Sequence, residues 1–118
     1  MSSQRGFSRS ERVGQQIHEL VARFLLTDVD DPRLSLVQVT EVDVSPNLRN
    51  ARVYYILLQE EEPREAVDEA LDGVTGLIKR EIAGSLSLKY VPDVEFRFDE
   101  AVDRGRRIDN LLSGLNDE

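Results

Sequence analysis

Residues 63–98 constrain the fold more than any other stretch. They run from an acidic start through an apolar pattern at helical spacing, across two glycines, into a short strand of valine and phenylalanine. Val67, Ala70, Leu71 and Val74 make one stripe, and Leu77, Ile78, Ile82 and Leu86 continue it beyond Gly73-Val74-Thr75-Gly76. Glycine costs roughly 1 kcal/mol relative to alanine inside a helix, so two of them three residues apart argue for a break. The pattern persists while the propensity fails. A kinked helix, or two helices meeting at a corner, is the expected outcome, with Gly84 loosening the second half. Pro63 suits the first helical position, where its missing N–H does no harm, and the acids after it complement the positive end of the helix dipole.

The rest of the chain supplies what this element packs against. Residues 1–8 read as a disordered arm. Ser8-x-x-Glu11 then fits a capping box, and Val13, Ile17, Leu20, Val21, Phe24 and Leu25 form the stripe of an amphipathic helix. His18, one position past that stripe, reads as a boundary residue. Asp28, Asp30, Asp31 and Pro32 end the helix in a solvated turn, because the ligand ladder and glycine of a calcium loop are missing. Residues 36–44 form a strand whose alternation changes phase. A bulge near Thr40-Glu41 brings Val37, Val39, Val42 and Val44 onto one face. Ser45-Pro46-Asn47 is turn chemistry, and the second strand at 51–58 follows closely enough to favour an antiparallel hairpin. Tyr54 and Tyr55 read as packing residues of that strand rather than stacking surfaces. Val94, Phe96 and Phe98 point inward from a third strand. Residues 101–112 form a short helix with Val102, Ile108, Leu111 and Leu112 apolar and its arginines exposed. The expected organisation is an arm at 1–8, a domain at 9–99, a basic helical extension at 100–113 and a disordered tail at 114–118.

Composition excludes several function classes. There is no cysteine and one histidine, so thiol catalysis and thiolate or histidine-cluster metal sites are out. The N-terminus lacks a signal-peptide core, and the longest apolar run, 53–58, is far short of the roughly 20 residues that span a bilayer. A cytoplasmic chain with no membrane contact is expected. No serine lies in a nucleophile elbow, and Gly73-x-x-Gly76 is too short for a dinucleotide or P-loop motif. Neither an enzyme nor a cofactor is implied. The net charge of −8 disfavours nucleic acid at first sight. Its distribution matters more: residues 60–72 hold seven acids against Arg64 alone, while Lys79, Arg80 and Lys89, and then Arg104, Arg106 and Arg107, gather positive charge.

The order helix, strand, strand, helix, corner, helix, strand defines an α+β domain with three strands covered on one face by helices. That is the plan of a KH domain, whose glycine corner approaches a nucleic-acid backbone. Asp31-Pro32-Arg33, Val37-x-Val39-Thr40-x-Val42-x-Val44-Ser45, Ala51-x-Val53-Tyr54, Gly76-Leu77-Ile78-Lys79, Val91-Pro92-x-Val94-x-Phe96 and Arg104-Gly105-x-Arg107-Ile108 occur in an order that resembles the bacterial ribosome-binding factor A family. The resemblance implies a KH-like fold of the second type, in the order α-β-β-α-kink-α-β with a short C-terminal helix. The kink then falls at Val74, Thr75 and Gly76, with valine in the place of the family's alanine. It further implies a monomeric, non-catalytic assembly factor that binds the small ribosomal subunit and its rRNA late in maturation and supports processing near the rRNA 5′ end, with ribosomal proteins as further partners. The uncharged corner moves the expected RNA contacts to Lys79, Arg80, Lys89, Arg104, Arg106 and Arg107. The competing reading is a protein-binding adaptor that docks a basic partner on the acidic 60–72 block.

Overall fold

The computed structural model describes residues 8–59 and 63–116. Its elements are α1 (Arg9–Thr27), a 3-10 turn (Pro32–Leu34), β1 (Val37–Val44), β2 (Asn50–Leu57), α2 (Arg64–Ser85), β3 (Asp93–Phe98) and α3 (Glu100–Asn116). The expected arm lies outside the described residues, except Ser8, which caps α1.

The sheet has the order β1-β2-β3. β1 and β2 form the antiparallel hairpin, and β3 returns parallel to β2 because a whole helix intervenes. Val39 pairs with Tyr55 and Glu41 with Tyr54, so Thr40 is the extra residue of the bulge. That bulge brings the two halves of β1 into phase: Val39 and Val44 are both buried on the helix side, with Val37 and Val42 packed beside them. It also re-aims Thr40, whose hydroxyl donates to Asp99 Oδ2 at 2.6 Å. Asp99 Oδ1 in turn accepts from the Val102 N–H at the start of α3, acting as its N-cap.

Ile17 and Val21 of α1, Leu71, Ile78 and Ile82 of α2, and Val53 and Tyr55 of β2 are fully buried in one core. α1 lies close on β1 at Gly14, where a Cβ would stand 3.1 Å from the Val42 carbonyl oxygen and 3.6 Å from Val44 Cγ2. Tyr55 joins three elements. Its ring meets Phe96 and Phe98 of β3 edge-on, with centroids 6.5 and 5.6 Å away, and its hydroxyl donates to Asp68 of α2. Burial, reinforced by that carboxylate, pushes the Tyr55 hydroxyl well above its ordinary pKa. Asp31-Pro32-Arg33 is a local clasp. Asp31 Oδ1 accepts from the Arg33 N–H at 3.0 Å, and Oδ2 from Arg33 Nη2 at 2.8 Å. These hydrogen bonds hold the Asp31 carboxyl below its usual range.

Two expectations need correction. Of the two outcomes expected at Gly73 and Gly76, two helices meeting at a corner is the one excluded: Val74, Thr75 and Gly76 lie inside the 22-residue α2. Leu71, Val74, Ile78 and Ile82 follow at steps of three and four, so one continuous helix turns them all to the core, with Val74 partly buried and the others fully. That burial outweighs the glycine propensity cost, since a buried aliphatic side chain contributes about 1.5–3 kcal/mol. Neither glycine is demanded by contact, for no atom lies within 4 Å of a Cβ built on either. Leu77 is correspondingly turned out, 45% exposed. The second correction concerns α3, which runs on to Asn116 and presents its apolar residues, not all its arginines, to solvent. Ile108, Leu111 and Leu112 are exposed, whereas Arg106 reaches back to the sheet.

Candidate nucleic-acid interface

Three segments distant in sequence meet at the end of the sheet where β2 and β3 begin. Arg9, the turn Asn47-Leu48-Arg49 and Leu88-Lys89-Tyr90 line a cleft of about 390 Å³ that no acid among the described residues borders. Each is held by local chemistry. The capping box fixes the first turn of α1: Ser8 Oγ accepts from the Glu11 N–H at 3.2 Å, and Glu11 Oε1 accepts from the Ser8 N–H at 2.9 Å. Arg9 is the residue that follows the cap. In the β1–β2 turn, Asn47 Oδ1 accepts from Ser45 Oγ at 2.7 Å and from the Arg49 N–H at 3.0 Å. Leu48 takes φ 61°, a left-handed conformation that a branched side chain adopts at a cost, and it packs against the core. The Arg49 carbonyl accepts from the Asp93 N–H at 2.9 Å, which ties the turn to the start of β3. Beyond α2, Leu88, Val91 and Pro92 are packed inward, leaving Lys89 and Tyr90 between them exposed.

The cations gather round the aromatic ring. The Arg49 guanidinium carbon lies 4.1 Å from the Tyr90 ring centroid and Lys89 Nζ lies 5.6 Å from it, while Tyr90 stays 51% exposed. Among the described residues, Arg9, Arg49 and Lys89 enter no ion pair. Their full charge therefore faces solvent.

The residues expected from sequence do not form one site. Lys89 belongs to this cleft. Lys79 pairs with Asp93 at 3.0 Å, and Arg80 is exposed and without an ion pair among the described residues. In α3, Arg106 Nη2 donates to the Leu57 carbonyl at 2.8 Å and stands 3.5 Å from Asp103 Oδ1. Arg107 Nε donates to Asp103 Oδ2 at 2.9 Å, and Asp103 is buried. Only Arg104 of that group is exposed and without an ion pair among the described residues. Sequence reasoning missed Arg9, Arg49 and Tyr90. The parallel pairing of β2 with β3, with Asn50 opposite Asp93, is what brings residue 49 to the segment that precedes β3.

Elsewhere part of the charge is matched within the fold. On the outer face of the sheet Arg52 stands 3.6 Å and Arg97 3.0 Å from Glu95, whose carboxyl Arg97 holds below its usual range. Asp68 serves Tyr55 and Glu69 pairs with Arg33 at 3.6 Å, so part of the acidic α2 face is engaged within the fold. Glu60, Glu61 and Glu62 lie outside the described residues. Among the described residues no cluster of histidine or acids is placed to hold a metal, and no helix is long and apolar enough to cross a membrane.

The helices on one face of a mixed three-stranded sheet define an α+β domain of the KH-like second type. The Ribosome-binding factor A family matches residues 9–112. Ribosome-binding factor A of Geobacter sulfurreducens is 37% identical over 112 residues, 95% of each chain, and that of Macrococcus caseolyticus is 39% identical over 108 residues, 92% of this chain and 95% of the relative. The crystal structure of ribosome-binding factor A from Thermus thermophilus superposes with a TM-score of 0.65 at 24% identity, covering 75% of this chain and 93% of that one. A homology model of the Thermus thermophilus factor, as fitted into a cryo-EM map of a 30S complex, gives 0.63, also at 24% identity, over 80% and 97%. This chain belongs to the ribosome-binding factor A family.

Proposed function

We propose that this chain binds the small ribosomal subunit through its rRNA during late assembly, in the cytoplasm, and acts by binding alone. The observation that carries the reading is the cleft of Arg9, Arg49 and Lys89, bordered by no acid among the described residues, in a chain of this family, one of whose structural neighbours is fitted into a map of a 30S complex. Unpaired, exposed cations attract phosphate, whereas a cation already matched to a carboxylate gains less by meeting one. The net charge of −8 then acts as a filter, repelling nucleic acid from most of the surface and leaving one end attractive. Binding energy delivered there favours the rRNA conformation that presents phosphates to the cleft, which is how a factor without catalytic groups supports processing near the 5′ end. Arg80 and Arg104 are the outlying contacts of this reading. Lys79 joins them by exchanging Asp93 for phosphate, since exposed ion pairs contribute only about 0–1 kcal/mol.

Co-sedimentation with purified small subunits across a salt series tests it. Three phosphate contacts predict an affinity that falls with a log–log slope of about −2 to −3. Absence of binding, or binding indifferent to salt, overturns the reading. Binding that requires one ribosomal protein and ignores protein-free rRNA supports the adaptor reading in its place.

A further inference from the structure

We propose that the Tyr90 cleft is a receptor for one unpaired RNA nucleotide, its base stacked on the Tyr90 ring and its flanking phosphates held by Arg9 and Lys89. The proposal rests on the rRNA-binding reading and adds the kind of RNA. Phosphate attraction alone needs no aromatic residue, yet the cations converge on a tyrosine that leaves half its surface in water. A tyrosine that served packing would bury its ring, as Tyr55 does. Tyr90 instead sits between inward anchors, Leu88 on one side and Val91 and Pro92 on the other, that hold the backbone and leave the ring outside.

Stacked Arg49 settles the ring's position and offers a second flat cationic surface at 4.1 Å, the arrangement by which proteins grip splayed-out bases. The cleft, about 390 Å³, lies in the lower part of the range of about 300–1,000 Å³ seen for small-ligand sites. Its wall also carries a fixed polar group. Asn47 Oδ1 is committed to Ser45 and to the Arg49 backbone, which leaves the Asn47 amide N–H₂ as the donor available to a base or ribose acceptor. A base inside an A-form duplex exposes no face to a protein ring, so this cleft selects a loop, a bulge or a single-stranded end. Stacking is tolerant of base identity, and one side-chain amide supplies only a weak preference.

The full chain is titrated into a short single-stranded RNA and into a hairpin duplex of matched length, both followed by fluorescence anisotropy. The single strand carries 2-aminopurine, whose emission reports stacking. Tyr90→Leu is expected to lose about tenfold in affinity for the single strand, and Tyr90→Phe at most about twofold, while all three proteins bind the duplex alike. Wild-type protein must also change the 2-aminopurine emission, a readout that depends on no variant. Equal single-strand affinity of Tyr90→Leu and wild type, an equal loss on the duplex, or unchanged 2-aminopurine emission overturns the proposal. Salt-dependent binding to small subunits that survives such a result leaves the rRNA reading standing; loss of subunit binding by the wild type removes both.

Discussion

The molecule carries two concentrations of positive charge with opposite fates. In α3, Arg106 and Arg107 converge on Asp103, and Arg106 also reaches the Leu57 carbonyl of β2. At the other end of the strands, Arg9, Arg49 and Lys89 come from three segments and meet no carboxylate among the described residues, and Arg49 and Lys89 stand against an exposed ring. One group fastens a helix to the sheet; the other is left to the solvent. The first is a knot in the sequence and the second is invisible there. A cation's availability depends on what folding places beside it, not on how many cations adjoin it along the chain.

Functional assays break this contrast most readily. Replacing Arg9, Arg49 and Lys89 together by alanine should lower affinity for the small subunit about a hundredfold at low salt, with stability to urea changed by no more than about 0.5 kcal/mol. Arg106→Ala should do the reverse. It removes a charged hydrogen bond to the Leu57 carbonyl and half the neutralisation of a buried carboxylate, at a cost of about 2 kcal/mol by urea unfolding, with subunit affinity of the folded protein within about threefold of wild type. Arg107→Ala sharpens the same comparison at lower amplitude. Its side chain is 54% exposed, and about 0.5 kcal/mol of stability is expected to go with it. Arg104→Ala should change stability by less than about 0.5 kcal/mol and subunit affinity by about threefold, the behaviour of an exposed cation on the rim.

Much of the fold could be read from the residues, because periodicity reports which face is buried. The phase change in β1 located the bulge, since only an extra residue reconciles Val37 and Val39 with Val42 and Val44. Ser8 and Glu11 marked the start of α1 through a reciprocal hydrogen-bond pair that is entirely local. The glycines misled because propensity and pattern conflict there. The conspicuous Gly73 and Gly76 face open space, while Gly14, in an ordinary stretch of α1, has the β1 backbone against it. A glycine's contact is made across the fold, and its sequence neighbours do not disclose it. The same holds for the site. Lys89 was legible as a cation, but its company was not: Arg49 arrives through the hairpin turn, and Arg9 through the placement of α1. Arg106 looked equally available, and its carbonyl partner lies 49 residues away.

The account stands or falls on which cations meet phosphate, and the salt dependence of small-subunit binding by two double variants measures that directly. Each contacted phosphate contributes about −0.7 to −0.9 to the log–log slope. Arg9→Ala with Lys89→Ala should make the slope shallower by about 1.5. Arg106→Ala with Arg107→Ala, compared under conditions where both proteins are folded, should leave it as in wild type. A slope that flattens only in the α3 variant would contradict the account and return the interface to the arginine knot.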